Sequence, residues 1–479
     1  MRQGVQVSRL WQVEESGVGM KRSIPFRGTV ALMALAFVSV AAPLPLAQPV
    51  AAADECLCAG GEYHPLTPVR IYDSRPPGIN DVAPLGAKPM GPADPTFDIQ
   101  LLGLGGVPSS ATDVLAVAVS ITIDGPASAG WLAAYPAGSS GTSSLLNFSA
   151  RQTVPNLAIV RGGAGGKLTI KINGAGNGTA NVLVDVLGWF SSSTYNAGTT
   201  DNPSDERGAR MVVVNPGRIL DTRVGTPTPL GPGAQRTVQF RGANVAGVNV
   251  PNDSSVVGAL INVTAVAPTA GTFVSVVPNM PVGAPSTSNL NVAAGRIQAN
   301  LVLVPVGADG AIHLYNSAGN TNVLVDVLAY LQTGAPESTR AGRVVPLTAP
   351  YRALDTRLAS FGGVPLGPGQ AEDWSFAAFA GSVNIGGQAV GNQSALLGNL
   401  TNASLSRQYP TVSVEPGYLS VYPADSATVP GISNLNNYEF GPVPNMALVK
   451  YGANQTVRVF NARGYAHYIL DVSAVVLAD

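Results

Sequence analysis

Val323-Leu-Val-Asp-Val-Leu328 reads as a buried strand carrying a single charge, and it has two relatives in the same chain: Val182-Leu-Val-Asp-Val-Leu187 and Tyr468-Ile-Leu-Asp-Val-Ser473. Alternation puts Leu183, Asp185 and Leu187 on one face and Val182, Val184 and Val186 on the other. Both faces are apolar, so Asp185, Asp326 and Asp471 are expected inside a core, where a carboxylate is tolerated only when paired. Upstream, each copy opens on a common motif: Arg70-Ile-Tyr-Asp-Ser-Arg75, Arg218-Ile-Leu-Asp-Thr-Arg223 and Arg352-Ala-Leu-Asp-Thr-Arg357. Next come Pro-Leu-Gly elements at 84–86, 229–231 and 365–367, then a glycine leading into Trp131, Phe273 or Tyr418. Leu-Asn pairs end at Asn147, Asn291 and Asn436, and nine residues beyond each stands Asn156, Asn300 or Asn445. The step from the second Asn to the strand Asp is 26 residues in copies two and three. Recurrence at fixed spacing identifies a triplicated unit.

The copies occupy residues 64–190, 211–331 and 343–479, with polar linkers at 191–210 and 332–342. Each has the length of an independent domain. Val256–Val266, Thr272–Val277, Asn300–Val304 and Ala311–Tyr315 are rich in β-branched or apolar residues and bounded by Gly, Pro or Asn, as strands are. No stretch sustains a helical period over three turns. The expected fold is all-β: three tandem antiparallel β-sandwich modules, with a jelly roll as the candidate strand order.

The natural partners of the buried carboxylates are the motif arginines, whose planar fork holds a carboxylate through two hydrogen bonds. Strand alternation places Ile71, Asp73 and Arg75 on one face, so Arg75 is expected to bridge Asp73 to Asp185. The expected structural network is Arg70, Asp73, Arg75 and Asp185; Arg218, Asp221, Arg223 and Asp326; and Arg352, Asp355, Arg357 and Asp471. A polar ligand site is the competing reading of the same groups. The asparagines read two ways, as turn and strand-end supports or as amides for sugar hydroxyls beside an aromatic platform. Trp131, Tyr135, Asn147 and Asn156 form the candidate glycan-binding set, against a core role for an aromatic at a strand start.

Lys21, Arg22 and Arg27 precede the apolar run Thr29–Ala42, and Ala51-Ala-Ala53 precedes Asp54, the pattern of a secretory signal. Residues 1–53 are expected to be removed, with Met1 or Met20 as the start. No later apolar run reaches membrane-spanning length, so no transmembrane anchor beyond the signal is expected. Residues 54–63 form a short segment holding Cys56 and Cys58, expected to be bridged to each other, linked to another chain, or a minor terminal feature. The 479 residues are 46% hydrophobic and 11% charged, with 55 Gly and 38 Pro, which excludes a disordered or collagenous chain. A net charge of −1 offers no basic footprint, and no nucleic-acid partner is expected. His64, His313 and His467 fall at non-equivalent places in their copies, and no nucleophile elbow, P-loop or dinucleotide fingerprint occurs. No catalytic residue, metal or cofactor is therefore expected, and Asn173–Gly178 reads as a plain turn rather than a Ca²⁺ loop.

At these motifs the chain resembles the tandem repeat modules of secreted and cell-surface proteins of high-GC Gram-positive bacteria. Those modules show Arg-x-Leu-Asp-Thr-Arg, Pro-Leu-Gly-Pro-Gly, Ser-Asn-Leu-Asn and Val-Asp-Val-x-Gly-Tyr-Phe elements. Ser288-Asn-Leu-Asn291 and Ser433-Asn-Leu-Asn436 match, Ser144-Leu-Leu-Asn147 departs at one position, and Val184–Phe190 is near the ending pattern. Leu470–Val475 lacks the final aromatic. Such modules commonly stand beside peptidases or cell-wall hydrolases, which implies accessory or surface roles. The expected protein is thus secreted or cell-wall associated and non-catalytic, acting by adhesion or structural contact with cell-wall glycan or other surface proteins. The alternatives are a carbohydrate- or peptidoglycan-binding protein with weak repeated sites, or a hydrolase concealed in one module.

Overall fold

A computed structural model describes residues 8–9, 59–75, 96–141, 143–173, 179–193, 195, 208–336, 338–385, 388–403, 417–437 and 441–478. The apolar leader, Cys56, Cys58, most of the 191–210 linker and positions 174–178 lie outside them.

The chain is all-β, and each repeat supplies eight principal strands. Repeat 1 contains β1 (Tyr63–Asp73), β2 (Thr96–Gln100), β3 (Val114–Asp124), β4 (Gly130–Pro136), β5 (Leu146–Phe148), β6 (Val154–Val160), β7 (Lys167–Asn173) and β8 (Asn181–Ser191). Repeat 2 follows with β9 (Arg210–Asp221), β10 (Gln235–Gln239), β11 (Val256–Val266), β12 (Thr272–Val277), β13 (Leu290–Val292), β14 (Ile297–Pro305), β15 (Ala311–Asn316) and β16 (Asn322–Gln332). Repeat 3 has β17 (Val344–Asp355), β18 (Gln370–Ser375), β19 (Gln393–Ala403), β20 (Gly417–Pro423), β21 (Leu435–Asn437), β22 (Val443–Lys450), β23 (Thr456–Asn461) and β24 (His467–Leu477). In repeat 1 the sheets are ordered β1-β8-β3-β6 and β2-β7-β4-β5, and the other repeats reproduce that order. Ser8–Arg9 add a short parallel strand at the edge of β18.

Among the described residues the six principal sheets stand in a propeller-like ring, in place of three separate sandwiches in tandem. The reason lies in β8 and its counterparts. Val182, Val184 and Val186 pack into a cluster confined to repeat 1, with Leu132 and Leu168 from the other sheet. Leu187 and Phe190 point the opposite way, into a cluster shared with Leu303 and Leu331 of repeat 2 and Leu448 and Val476 of repeat 3. A sheet apolar on both faces must be covered on both, and the copies cover one another. The edge strands β6, β14 and β22 touch at the centre. Around them the contacts run cyclically, β6 on β13, β14 on β21 and β22 on β5.

One end of the ring is clasped by the starts of the first strands. Gly61 and Val344 exchange backbone hydrogen bonds of 2.9 Å, and Tyr63 and Ala209 exchange bonds of 2.8 and 2.7 Å. Glu62, Arg210 and Arg343 occupy equivalent positions, and both arginines donate through Nε to Glu62 Oε1, at 3.0 and 3.3 Å. Residues 60–63 therefore tie the repeats together rather than forming a separate terminal segment.

Candidate functional site

In every repeat the first strand meets the last through the motif arginine. Arg70 stands opposite Asp185, Arg218 opposite Asp326 and Arg352 opposite Asp471 in the β1–β8, β9–β16 and β17–β24 registers. Each arginine donates Nε to Oδ1 at 2.7–2.8 Å and Nη2 to Oδ2 at 3.0–3.1 Å. Its Nη1 reaches the motif aspartate, Asp73, Asp221 or Asp355, at 3.3 Å. The bridging residue is thus the first arginine, not the second as alternation implies. A β-bulge at Ile71, Ile219 and Ala353 re-phases the strand, bringing Arg70 and Asp73 onto one face. Arg75, Arg223 and Arg357 instead clamp the motif aspartate, with Nη2–Oδ2 distances of 2.6–2.7 Å. The hydrogen-bonded Arg223 guanidinium holds the Asp221 carboxyl down at about 2. Burial opposes the same effect at Asp73 and Asp355, yet Arg75 and Arg357 still keep these carboxyls below the usual carboxylate range.

The later asparagines lie at the joints of the ring. Asn156, Asn300 and Asn445 each donate to a carbonyl eleven residues earlier, on Leu145, Asn289 and Asn434, at 2.6–2.7 Å. Asn156 also donates to Asn399 Oδ1 (3.0 Å) and accepts from the backbone N–H of Met446, joining repeats 1 and 3. Asn445 does the same with Asn262 (3.1 Å) and the Leu301 N–H (3.0 Å), joining repeats 3 and 2. Asn262 and Asn399 then donate to Ser433 O and Ser144 O of the neighbouring repeat, at 2.6 and 2.7 Å. At the position of Asn262 and Asn399, repeat 1 carries Ser120, which likewise stands opposite the strand aspartate. Asn156 is 1% exposed and does not belong to an open site.

At the end away from the clasp the repeats leave a depression of about 1380 Å³. Trp131, Asn147, Phe273, Asn291 and Asn436 line it. Trp131 stands directly opposite Asn147 on β4 and β5, Phe273 opposite Asn291 on β12 and β13, and Tyr418 opposite Asn436 on β20 and β21. Directly opposed side chains share a face and lie within contact range. All six residues are half-exposed. The motif serine anchors each amide: Ser144 Oγ donates to Asn147 Oδ1 (3.1 Å), Asn291 Nδ2 to Ser288 Oγ (3.0 Å), and Ser433 Oγ to Asn436 Oδ1 (3.2 Å). Tyr135 lies outside the lining: it is 7% exposed and sits against Gly141. Of the four candidate glycan residues, Trp131 and Asn147 reach the depression, whereas Tyr135 and Asn156 do not.

Several residues of these sites escape a reading of the sequence. Glu62, Arg210 and Arg343 differ in sign, and so look like divergence rather than a shared position. Aligned on the arginine motif, they precede it by eight, eight and nine residues, which is the available signal. Asn262 and Asn399 are hidden because repeat 1 has Ser120. The histidines are dispersed: His64 stacks on Trp189, His313 faces Asp309 at 3.1 Å, and the His467 ring lies 3.2 Å from Thr356 Oγ1. Among the described residues no His, Cys, Asp and Glu cluster could hold a metal, and no helix is long and apolar enough to cross a membrane.

No family profile matches this chain, and no curated protein does. Among solved structures, a chain from the triple jelly roll fold and turret assembly of an archaeal virus aligns over 86% of this chain and 90% of its own, at 9% identity and a TM-score of 0.16. A chain of Sulfolobus turreted icosahedral virus covers 80% and 83%, at 8% identity and 0.15. The CBM22-1–CBM22-2 tandem domain of Paenibacillus barcinonensis Xyn10C covers 46% and 79%, at 9% identity and 0.15. Nothing about the function of this chain follows from likeness at that level.

Proposed function

We propose that the protein is an exported, non-catalytic surface or cell-envelope component, and that it works by holding an extracellular glycan in the depression at the open end of its ring. The observation that carries this reading is the pairing of an aromatic ring with a serine-anchored asparagine, repeated in all three copies, with the three asparagines and the rings of Trp131 and Phe273 lining one depression. A ring face covers the apolar face of a pyranose, and an oriented amide both donates to and accepts from its hydroxyls. Weak sites at one mouth gain from avidity when a polymer engages more than one. Strand order with the first strand beside the last supports a jelly-roll reading of each repeat. We infer one such unit, triplicated and closed on itself.

The test is retention of the secreted form on purified cell-wall sacculi and on a glycan panel, beside Trp131→Ala and Asn147→Ala variants of unchanged melting temperature. Retention that falls at least about tenfold in the variants, a loss of roughly 1.4 kcal/mol, is the expected result. Retention by no glycan, or equal retention of the variants, overturns it.

A further inference from the structure

We propose that the glycan is built from 2-acetamido sugars, and that Thr401 in the wall of the depression receives the acetamido group. This rests on the reading of the depression as a glycan site and names the class of sugar it takes. The first sheet of repeat 3 sets one row of residues across four strands. Asp355 on β17 stands opposite Ile469 on β24, Ile469 opposite Thr401 on β19, and Thr401 opposite Pro444 on β22. Directly opposed residues share a face, and Ile469, Thr401 and Pro444 all line the depression. Ala403, two residues along the same face of β19, lines it as well. The row adjoins the aromatic–asparagine pair of its repeat, because β19 also touches β21, which carries Asn436.

Within that row one polar atom has no counterpart. Thr401 is 3% exposed, and among the described residues its Oγ1 has no hydrogen-bond partner. Its flanks are an isoleucine side chain and a proline ring, and neither of these can donate or accept. The arginines that line the same side add no net charge, since Arg352 faces Asp471 and Arg357 faces Asp355. A buried hydroxyl without a partner is costly. The ligand group that suits this place is small, neutral and apolar except for one hydrogen-bonding function. An acetamido group has that make-up. Its methyl covers Ile469 and Pro444, and its carbonyl accepts from the Thr401 hydroxyl. A ring hydroxyl lacks the methyl, and a carboxylate brings a charge that nothing in the row calls for.

Among the described residues only repeat 3 presents such a threonine to the opening. The equivalent Thr264 of repeat 2 also has an Oγ1 without a partner, but it stands opposite Ala299 and Leu324 and is not part of the lining. Thr122 of repeat 1 is likewise outside the lining. A single subsite then selects the substituent, while the aromatic–asparagine pairs hold ring faces and hydroxyls that neutral glycans share. Thr401 also provides a clean variant. Thr401→Val keeps the branched shape and deletes only the unpartnered hydroxyl, so the fold loses no hydrogen bond.

The experiment compares binding of the secreted form to chitohexaose and to cellohexaose by isothermal titration calorimetry. The two oligosaccharides share one backbone and linkage and differ only in an acetamido group or a hydroxyl on the second ring carbon. Expected is affinity about tenfold tighter for chitohexaose. Thr401→Val, at unchanged melting temperature, should bring chitohexaose down to the level of cellohexaose and leave cellohexaose as it was. Thr401→Ser, which keeps the hydroxyl, should retain the preference. Peptide-stripped glycan strands of peptidoglycan carry the same group, and whichever of these and chitohexaose binds more tightly identifies the source while upholding the acetamido assignment. Equal affinity for the two oligosaccharides, abolished by Trp131→Ala, overturns that assignment and leaves the glycan site standing. Binding of other glycans of the panel, with none of chitohexaose or the strands, does the same. A preference for chitohexaose that survives Thr401→Val overturns the placement at Thr401. Binding of no glycan overturns the glycan reading as well.

Discussion

Asn445→Ala tests whether the three repeats form one body. The side chain is 1% exposed and serves three buried groups: it donates to Asn262 Oδ1 and Asn434 O, and it accepts from the Leu301 N–H. Truncation leaves all three without this partner, and a buried polar group so stranded costs about 1–3 kcal/mol. Part of that is recovered by local adjustment, so a loss of about 3–5 kcal/mol is expected. At an unfolding entropy of about 2.1 cal/mol/K per residue, a cooperative unit of roughly 420 residues carries about 0.9 kcal/mol/K. The expected shift in melting temperature is therefore about 3–6 °C, within a single calorimetric transition. Repeats folding as separate beads would leave position 445 facing water, and the substitution would shift nothing. Differential scanning calorimetry of wild type and variant decides the matter. An unshifted melting temperature, or a wild type that melts in separate steps, refutes the closed ring.

Two further outcomes follow from the arginine–aspartate bridges. Asp326→Ala strands the Arg218 guanidinium beside a site where the carboxylate is fully buried, and should cost about 3–5 kcal/mol by calorimetry or urea titration; a change near zero removes the bridge from the account of stability. Asp221 titrates at about 2 in the folded chain against an ordinary 3.8, so its contribution is present above about pH 4 and is lost as pH falls toward 2. Arg223→Gln should flatten that part of the stability–pH curve, and an unchanged acid limb counts against the Asp221–Arg223 clamp.

Much of this was open to inspection in the sequence, and the gaps have identifiable causes. The triplication, the strand character and the membership of the arginine–aspartate groups rest on spacing and residue type, which the chain displays directly. Which arginine bridges was not legible, because a bulge at Ile71 is one extra residue without a compositional mark, and it shifts every later side chain to the other face. Ring closure was only half legible. Leu183 and Leu187 made the second face of β8 apolar, but a neighbouring repeat covers such a face as well as a loop of the same repeat would. The asparagines divided for a related reason. Asn147 and Asn156 recur with equal regularity, since a group that seals a joint and a group that lines an opening are equally bound to their positions. Register separates them: Asn147 falls on the short edge strand at the mouth, and Asn156 on the strand at the centre.

Joining the three copies in one chain has a physical consequence that a symmetric trimer of identical chains could not reproduce. At the clasp, the equivalent positions hold Glu62, Arg210 and Arg343, one acceptor for two donors. A symmetric trimer would place three identical residues there, so that any charged residue would bring three like charges together, and buried like charges at close range repel strongly. Covalent linkage allows the copies to differ where the axis demands it. The same freedom appears at the opposite end, where the ring platforms are Trp131, Phe273 and Tyr418, and where Arg151 occupies a backbone conformation that repeat 2 gives to Gly295. The Asn445 and Asn156 joints stay alike because each must satisfy the same backbone N–H in the next repeat. Identity is thus retained where closure of the ring requires it, and difference collects at the two ends of the axis, so the open end presents an asymmetric mouth. An asymmetric mouth suits a polymer lying across it in one direction better than a ligand with threefold symmetry.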